Sequence, residues 1–417
     1  MRLSFQHRSA IFIFLMITMA ACQSTPPVQV KSQPTPTNSQ IRSTPEIAPS
    51  PVVTPLPTAV PTFVSTQAQD FINATVWEHD PQVPILLYHR FLPDSYTTSY
   101  PTKTVLRDFR SELESLYDNG YSLVSLQDWI NGNLQVPAGR RPIIITLDDA
   151  FFADQIYLES DGQPSSNSGV GVLWEFSQQH PDFGFAASIF ANMGDKVYGN
   201  IKKGNWYENG PGWEDSLAKV IVWCIQHNVL PYNHMYTHPR LDLTLTQQIP
   251  WELEKNDQSM RTFLKRANAL DLVNGLANMV ALPYGTWPPS KGGKEAILNY
   301  KNPEGKPLQA VLEAGYYYNA QYLQPPYSVA YNPWHIPRIA GHIPAINFLV
   351  KQKDQFPTAS TCKIGPLQSA QIGDNLYLMD QILKAIRQNG CPEGVYSFSG
   401  KLFRASNSQI VILRPNQ

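Results

Sequence analysis

An α/β fold built on a parallel sheet or barrel is what this sequence predicts, and three observations predict it. Ile143 to Leu147 is a continuous run rich in β-branched residues, as expected of a strand covered on both faces. Val83 to Tyr88, Phe185 to Phe190 and Val280 to Leu282 are further short apolar runs that read as strands. Between them lie stretches of helical spacing, and strands alternating with helices build parallel sheets.

The elements follow in order from the N-terminus. Arg2 and Arg8 precede an apolar run from Ile11 to Ala21 that is short for a bilayer span, and Met19-Ala20-Ala21-Cys22 puts small residues before a cysteine. This resembles a bacterial lipoprotein signal, which implies cleavage before Cys22, a lipid on its thiol, and a location outside the cell membrane. An ordinary cleaved signal with an incidental cysteine is the alternative. Residues 22–69 are Pro, Thr, Ser, Val and Gln with little charge, and ten of the 36 prolines fall between Pro26 and Pro61. Such a stretch cannot bury enough apolar surface to offset its ordering entropy, so it reads as an extended tether.

The expected organisation is a signal over 1–21, a tether over 22–69, and one domain over 70–417 with its core at about 83–349. Residues 350–417 are expected to be either the last barrel elements or a small cap. Val105, Phe109, Leu113, Leu116 and Tyr117 recur at helical spacing, with Gly120 where a helix would stop. Gln247 to Ala267 also reads as helix, whereas Glu159 to Gly171 and Tyr198 to Gly212 are polar and read as insertions. Cys362 and Cys391 can pair, leaving Cys224 as a buried thiol in an apolar run.

The chain has 32 Lys and Arg against 33 Asp and Glu, a formal charge of -1, which argues against a basic groove for nucleic acid. With 42% hydrophobic residues it has ample material for a core, and it reads as a monomer.

Chemistry concentrates at three places. Asp148 and Asp149 are adjacent carboxylates at the carboxyl end of a buried strand, where the chain turns and both can reach one pocket. A solvated or capping pair would look the same. His234 and His238 lie four apart and can present two imidazoles to one metal, although two surface histidines share that spacing by chance. Together the two sites offer one carboxylate and two neutral nitrogens, the ligand number of a catalytic zinc that keeps a position open. Pro283-Tyr284-Gly285 is a turn signal at the end of another strand, able to aim backbone N–H groups at a pocket.

In that order, Asp-Asp after an apolar strand, His-x-x-x-His and Pro-Tyr-Gly resemble the polysaccharide deacetylase family, also called the NodB homology domain or carbohydrate esterase family 4. Val83-Pro84-Ile85-Leu86-Leu87-Tyr88-His89 and Ala187-Ser188-Ile189-Phe190 resemble two of its strands. The resemblance implies a distorted (β/α) barrel, a divalent metal, with zinc first and cobalt, nickel or iron as alternatives, and removal of acetyl groups from an acetylated polysaccharide. It makes Asp149, His234 and His238 the metal ligands, Asp148 the general base, and the Tyr284 backbone N–H an oxyanion donor.

The family's general acid sits in a Leu-x-His motif. Here that motif occurs as Leu87-Tyr88-His89 at the start of the domain, similar to circularly permuted members. His89 is therefore the expected acid, with His342 and His335 as other candidates and a buried structural histidine as the plain alternative. Ala281 stands where the family has an arginine that pairs with the base, so Asp148 is expected to be less acidified unless Arg338 supplies the cation. Ala150 replaces a usual glycine. Trp206, Tyr207 and Trp213 are candidates for stacking on sugar faces.

Overall fold

The computed structural model describes residues 73–194, 212–314, 326–328, 331–364, 376–398, 400–406 and 408–413. The signal, the tether and Cys22 lie outside these residues, as do Trp206 and Tyr207. The chain divides into units 1–65 and 66–417, and everything below belongs to the second.

Strand β1 (Asn73–Trp77) opens the described chain, followed by β2 (Ile85–Tyr88), whose four residues are all buried. Short strands β3 (Arg90–Leu92) and β4 (Lys103–Val105) pair with each other. Helix α1 (Leu106–Asp118) buries Leu106, Phe109, Leu113 and Leu116 along one stripe, which matches the expected spacing. It stops where Gly120 takes a φ of +77°, a conformation that costs glycine little. Next come β5 (Tyr121–Leu123), α2 (Leu126–Ile130) and β6 (Arg141–Ala150), and β6 contains the apolar run at 143–147.

Helix α3 (Gly169–Gln179) starts inside the stretch read as an insertion. The reason is local. Ser168 Oγ accepts from the Gly171 N–H as an N-cap, and a Cβ at Gly171 would lie 1.8 Å from the Ser165 carbonyl oxygen, so this turn requires glycine. Strand β7 (Ala187–Ala191), helix α4 (Trp213–Gln226) and strand β8 (Val229–Asn233) follow. Trp213 is partly buried and packs against Phe263, with ring centroids 6.0 Å apart, at the edge of the main core. Helix α5 (Ile249–Arg266) matches the expected 247–267 span, and β9 (Met279–Ala281), α6 (Lys291–Leu298), β10 (Ala310–Leu312), β11 (Ile339–Ala340) and α7 (Ile343–Lys351) complete this part.

These strands form one parallel sheet in the order β10-β9-β8-β7-β6-β2-β11, with β5 alongside the first half of β6. Its edges meet. Leu312 of β10 bridges Ile336 in parallel, and Ile336 leads three residues later into β11, which pairs with Leu86 and Leu87 of β2. The Ile336 N–H donates to the Val311 carbonyl at 3.1 Å, so the segment at 336–340 closes a distorted (β/α) barrel of seven strands. Ile85, Ile145, Leu147, Ile189, Ala281 and Leu312 of these strands belong to the main core, the larger side chains each contributing up to about 1.5–3 kcal/mol by burial.

A second sheet is antiparallel. It joins β1 to β12 (Ser360–Lys363), β13 (Gly394–Phe398), β14 (Lys401–Ala405) and β15 (Ile410–Leu413) in the order β12-β1-β13-β14-β15. Helix α8 (Leu376–Gln388) contributes Ile382 and Ile386 to its core. The Cys362–Cys391 disulfide ties β12 to the turn before β13, and Cys224 is a buried free thiol, both as expected. The C-terminal extension is therefore a separate layer and not the end of the barrel, and it recruits β1 from upstream of the expected core. No described helix is long and apolar enough to cross a membrane.

Candidate metal and acid–base centre

The site forms where four strands of the barrel end. Strand β6 pairs with β7 through Leu147↔Ile189 and Ala150↔Ala191, so Asp148 and Asp149 together oppose Phe190 alone. That is a β-bulge, and Asp149 takes a φ of 62° within it. The extra residue lets two consecutive carboxylates turn to the same side, which a regular strand forbids.

The histidines come from a bent loop after β8. The His234 N–H donates to the Ala191 carbonyl at 3.0 Å, and Met235 and His238 both have positive φ. Side chains with no local spacing signal hold this loop. Asn233 Oδ1 accepts from the Met235 N–H at 2.8 Å, while Glu252 of α5 accepts from the Thr237 N–H at 2.8 Å and from its hydroxyl at 2.6 Å. Reading the sequence did not identify Asn233 or Glu252.

Asp149, His234 and His238 place one donor atom each within 4.8 Å of one another. Asp149 Oδ1 is 3.5 Å from His234 Nε2 and 3.3 Å from His238 Nε2. A tetrahedral ion bound at about 2.0–2.1 Å spaces its ligands by about 3.4 Å, so the trio fits a zinc-like ion. His234 Nδ1 lies 2.8 Å from the Ala281 carbonyl oxygen, a contact that turns Nε2 toward the cluster. Ala281, which stands where the family has arginine, thus contributes its backbone carbonyl.

The cation for Asp148 arrives from β11's approach. Arg338 Nη1 and Nη2 each donate to an Asp148 oxygen at 2.7 Å, and the arginine side chain is wholly buried. Its Nε donates to the Glu313 carbonyl at 3.0 Å, and Nη1 also donates to Thr146 Oγ1 at 3.2 Å. Arg338 thus takes the place of the cation that Ala281 does not provide, the alternative raised from the sequence. Burial pushes the Asp148 carboxyl up, but Arg338 and His234 outweigh that and hold it below the usual carboxylate range.

The chain is similar in fold to solved bacterial deacetylases. The Streptococcus pyogenes deacetylase PplD matches at 15% identity and a TM-score of 0.41, over 66% of this chain and 98% of that one. IcaB from Ammonifex degensii matches at 15% and 0.43, over 66% and 97%. A de-N-acetylase from Aggregatibacter actinomycetemcomitans matches at 13% and 0.43, over 64% and 100%. No family model and no curated protein matches the sequence. At these values the likeness says nothing about individual residues, and the roles of the side chains rest on their geometry.

The remaining candidates differ in their surroundings. His89 is close enough to sense Asp148, Asp149, Arg338 and His234, and its Nδ1 is buried with no hydrogen-bond partner among the described residues. Burial dominates and holds this imidazole below its ordinary value, although the two aspartates pull the other way. His335 is half exposed and paired with Glu313 at 2.7 Å, and His342 Nδ1 contacts the Ala340 carbonyl at 2.8 Å. Neither is among the main influences on the Asp148 or Asp149 carboxyl. Tyr284 sits in the Pro283–Gly285 turn at a φ of 57°, with its ring 4.6 Å from that of His238.

Within the trio, burial and the neighbouring His234 lower His238 to about 4, so it is neutral and able to ligate. Burial pulls His234 down, but the carboxylates of Asp148 and Asp149 more than reverse this. Burial raises Asp149, and the hydrogen bond and charge of His234 overcome it, leaving the group ionised.

Proposed function

We propose that this protein is a metal-dependent deacetylase acting on an N-acetylated glycan outside the cell, either peptidoglycan or a polymer rich in N-acetylglucosamine. The observation that carries this reading is the pairing of two unlike units at one barrel mouth: a ligand trio of Asp149, His234 and His238, and a separate carboxylate, Asp148, locked by Arg338. A divalent ion held by the trio would supply Lewis acidity to an acetyl carbonyl and a lowered pKa to water.

The chain's own residues do the rest. Asp148 takes the proton from the attacking water, and its two bonds from Arg338 keep the carboxylate ionised and correctly turned. The Tyr284 turn offers a backbone N–H to the developing oxyanion. His89 delivers a proton to the leaving amine. Because its pKa is lowered, the protonated form is scarce at neutral pH, so turnover should fall as pH rises through that lowered value.

The test is acetate release from a panel of chitooligosaccharides, peptidoglycan and acetylated xylan, with and without a chelator. Release from the N-acetylated glycans that chelator stops and zinc restores supports the reading. Release from xylan alone would make the protein an O-acetyl esterase using the same residues, and chelator-insensitive binding without release would make it a carbohydrate-binding protein. We further propose that Cys22 is lipidated and anchors the mature chain, on the strength of the Met19–Cys22 pattern. Metabolic labelling with a tritiated fatty acid that persists in Cys22→Ala would exclude it.

A further inference from the structure

The two side chains assigned to proton transfer, Asp148 and His89, stand at the ends of neighbouring strands, at the point where backbone pairing between those strands stops. The last pair between β2 and β6 is Tyr88↔Leu147. One residue further on, the carbonyls of His89 and Asp148 both accept from a single group, the side-chain amide of Gln155. Its Nε2 donates to the His89 carbonyl at 2.7 Å and to the Asp148 carbonyl at 2.6 Å. Its Oε1 accepts from the Phe152 N–H at 3.0 Å.

Gln155 is wholly buried, and its backbone is fixed on both sides. Its N–H donates to the Phe152 carbonyl at 2.9 Å, and its carbonyl accepts from Val170 N–H at the start of α3 at 2.9 Å. An amide carries two donors and one accepting oxygen, and all are used here. Two buried carbonyls that face one another cannot bond to each other. A donor between them both satisfies them and sets their separation.

We propose that Gln155 is a positioning residue that sets the spacing between the base Asp148 and the acid His89. The proposal rests on the deacetylase reading for those two roles. Gln155 bonds to backbone atoms of His89, Asp148 and Phe152 and to no side chain of Asp149, His234 or His238, so the ligand trio should survive its loss.

The experiment compares wild type, Gln155→Leu and Gln155→Glu as full chains. Three quantities are measured: zinc content after dialysis, kcat and KM for a chitooligosaccharide across pH, and the crystal structure of each variant. In Gln155→Leu we expect zinc at the wild-type level, KM within about threefold, and kcat lowered about 10- to 100-fold, as misplacement of reacting groups by an ångström does. The crystal should show His89 and Asp148 moved apart with Asp149, His234 and His238 in place. Gln155→Glu should recover part of kcat at acidic pH, where a protonated carboxyl again donates one bond.

Unchanged kcat in Gln155→Leu overturns the proposal, as does a loss of kcat that only tracks lost zinc or folded protein. If wild type releases no acetate from any glycan, the deacetylase reading fails. The crystal structure still decides the positioning claim, which is refuted if His89 and Asp148 keep their wild-type separation without Gln155.

Discussion

Asp148 at the barrel mouth and Glu112 behind strand β2 are both buried carboxyl groups, and the protein treats them in opposite ways. Asp148 receives two charge-assisted bonds from Arg338 and stays ionised. Glu112 of α1 accepts one bond from the Tyr88 hydroxyl at 2.8 Å, and its Oε1 has no hydrogen-bond partner among the described residues. Burial therefore lifts its carboxyl to about 8. Burial alone keeps an acid neutral, and only a matched cation keeps it charged. A charged carboxylate can take a proton from water, whereas a neutral one adds only packing and one hydrogen bond.

The comparison breaks most visibly at the mouth. His238→Ala, His234→Ala or Asp149→Asn should reduce turnover to background and lose zinc on dialysis, measured by elemental analysis. Asp148→Asn should keep its zinc while losing about 100- to 10,000-fold in kcat. Wild-type turnover in Asp148→Asn would remove it as the base.

Removing the cation tests why Asp148 is charged. Arg338→Met leaves a buried carboxylate unpaired and should cost about 3–5 kcal/mol of stability in urea unfolding. The double variant Arg338→Met with Asp148→Asn, which buries no charge, should recover part of that loss. If the single and double variants unfold at the same urea concentration, the pair does not matter in the way described.

Glu112 gives the reverse test. Its folded value of about 8 lies above the ordinary 4.5, so the folded state binds the proton more tightly than the unfolded one. This group therefore subtracts nothing below pH 4.5, and it removes progressively more stability as pH rises from there through 8, at most about 5 kcal/mol. Glu112→Gln keeps the bond from Tyr88 without the titration. Its Tm should exceed that of wild type increasingly from pH 5 to 8.5, and parallel curves would refute the neutral acid.

The smallest effect concerns the peripheral sheet, which is held by a covalent link across 29 residues. Cys391→Ser should cost about 3 kcal/mol by freeing that loop in the unfolded chain, with zinc binding unchanged.

Much of this was legible in the sequence. Ile143–Leu147, Ala187–Phe190 and Val280–Ala281 are buried on both faces, so their continuous apolar runs announce parallel strands, and α1 announces itself by its stripe. The cluster was legible because the Asp148–Asp149 pair ends an apolar run and His234 and His238 lie four residues apart; that Asp149 and not Asp148 would join the histidines was implied by the resemblance to polysaccharide deacetylases. Arg338 was only a candidate cation for Asp148: 190 residues separate the two, and nothing in Pro337-Arg338-Ile339 says where it points.

By itself the sequence determined which segments become strands and helices and which residue types could bind a metal, because periodicity and side-chain chemistry are local properties. Tertiary structure alone decided that Ile336 meets β10 to close the barrel, that a bulge opposite Phe190 turns both aspartates inward, and that β1 joins the C-terminal strands. Those outcomes depend on register between distant strands and on which buried charge finds its counterpart, and neither leaves a repeat along the chain.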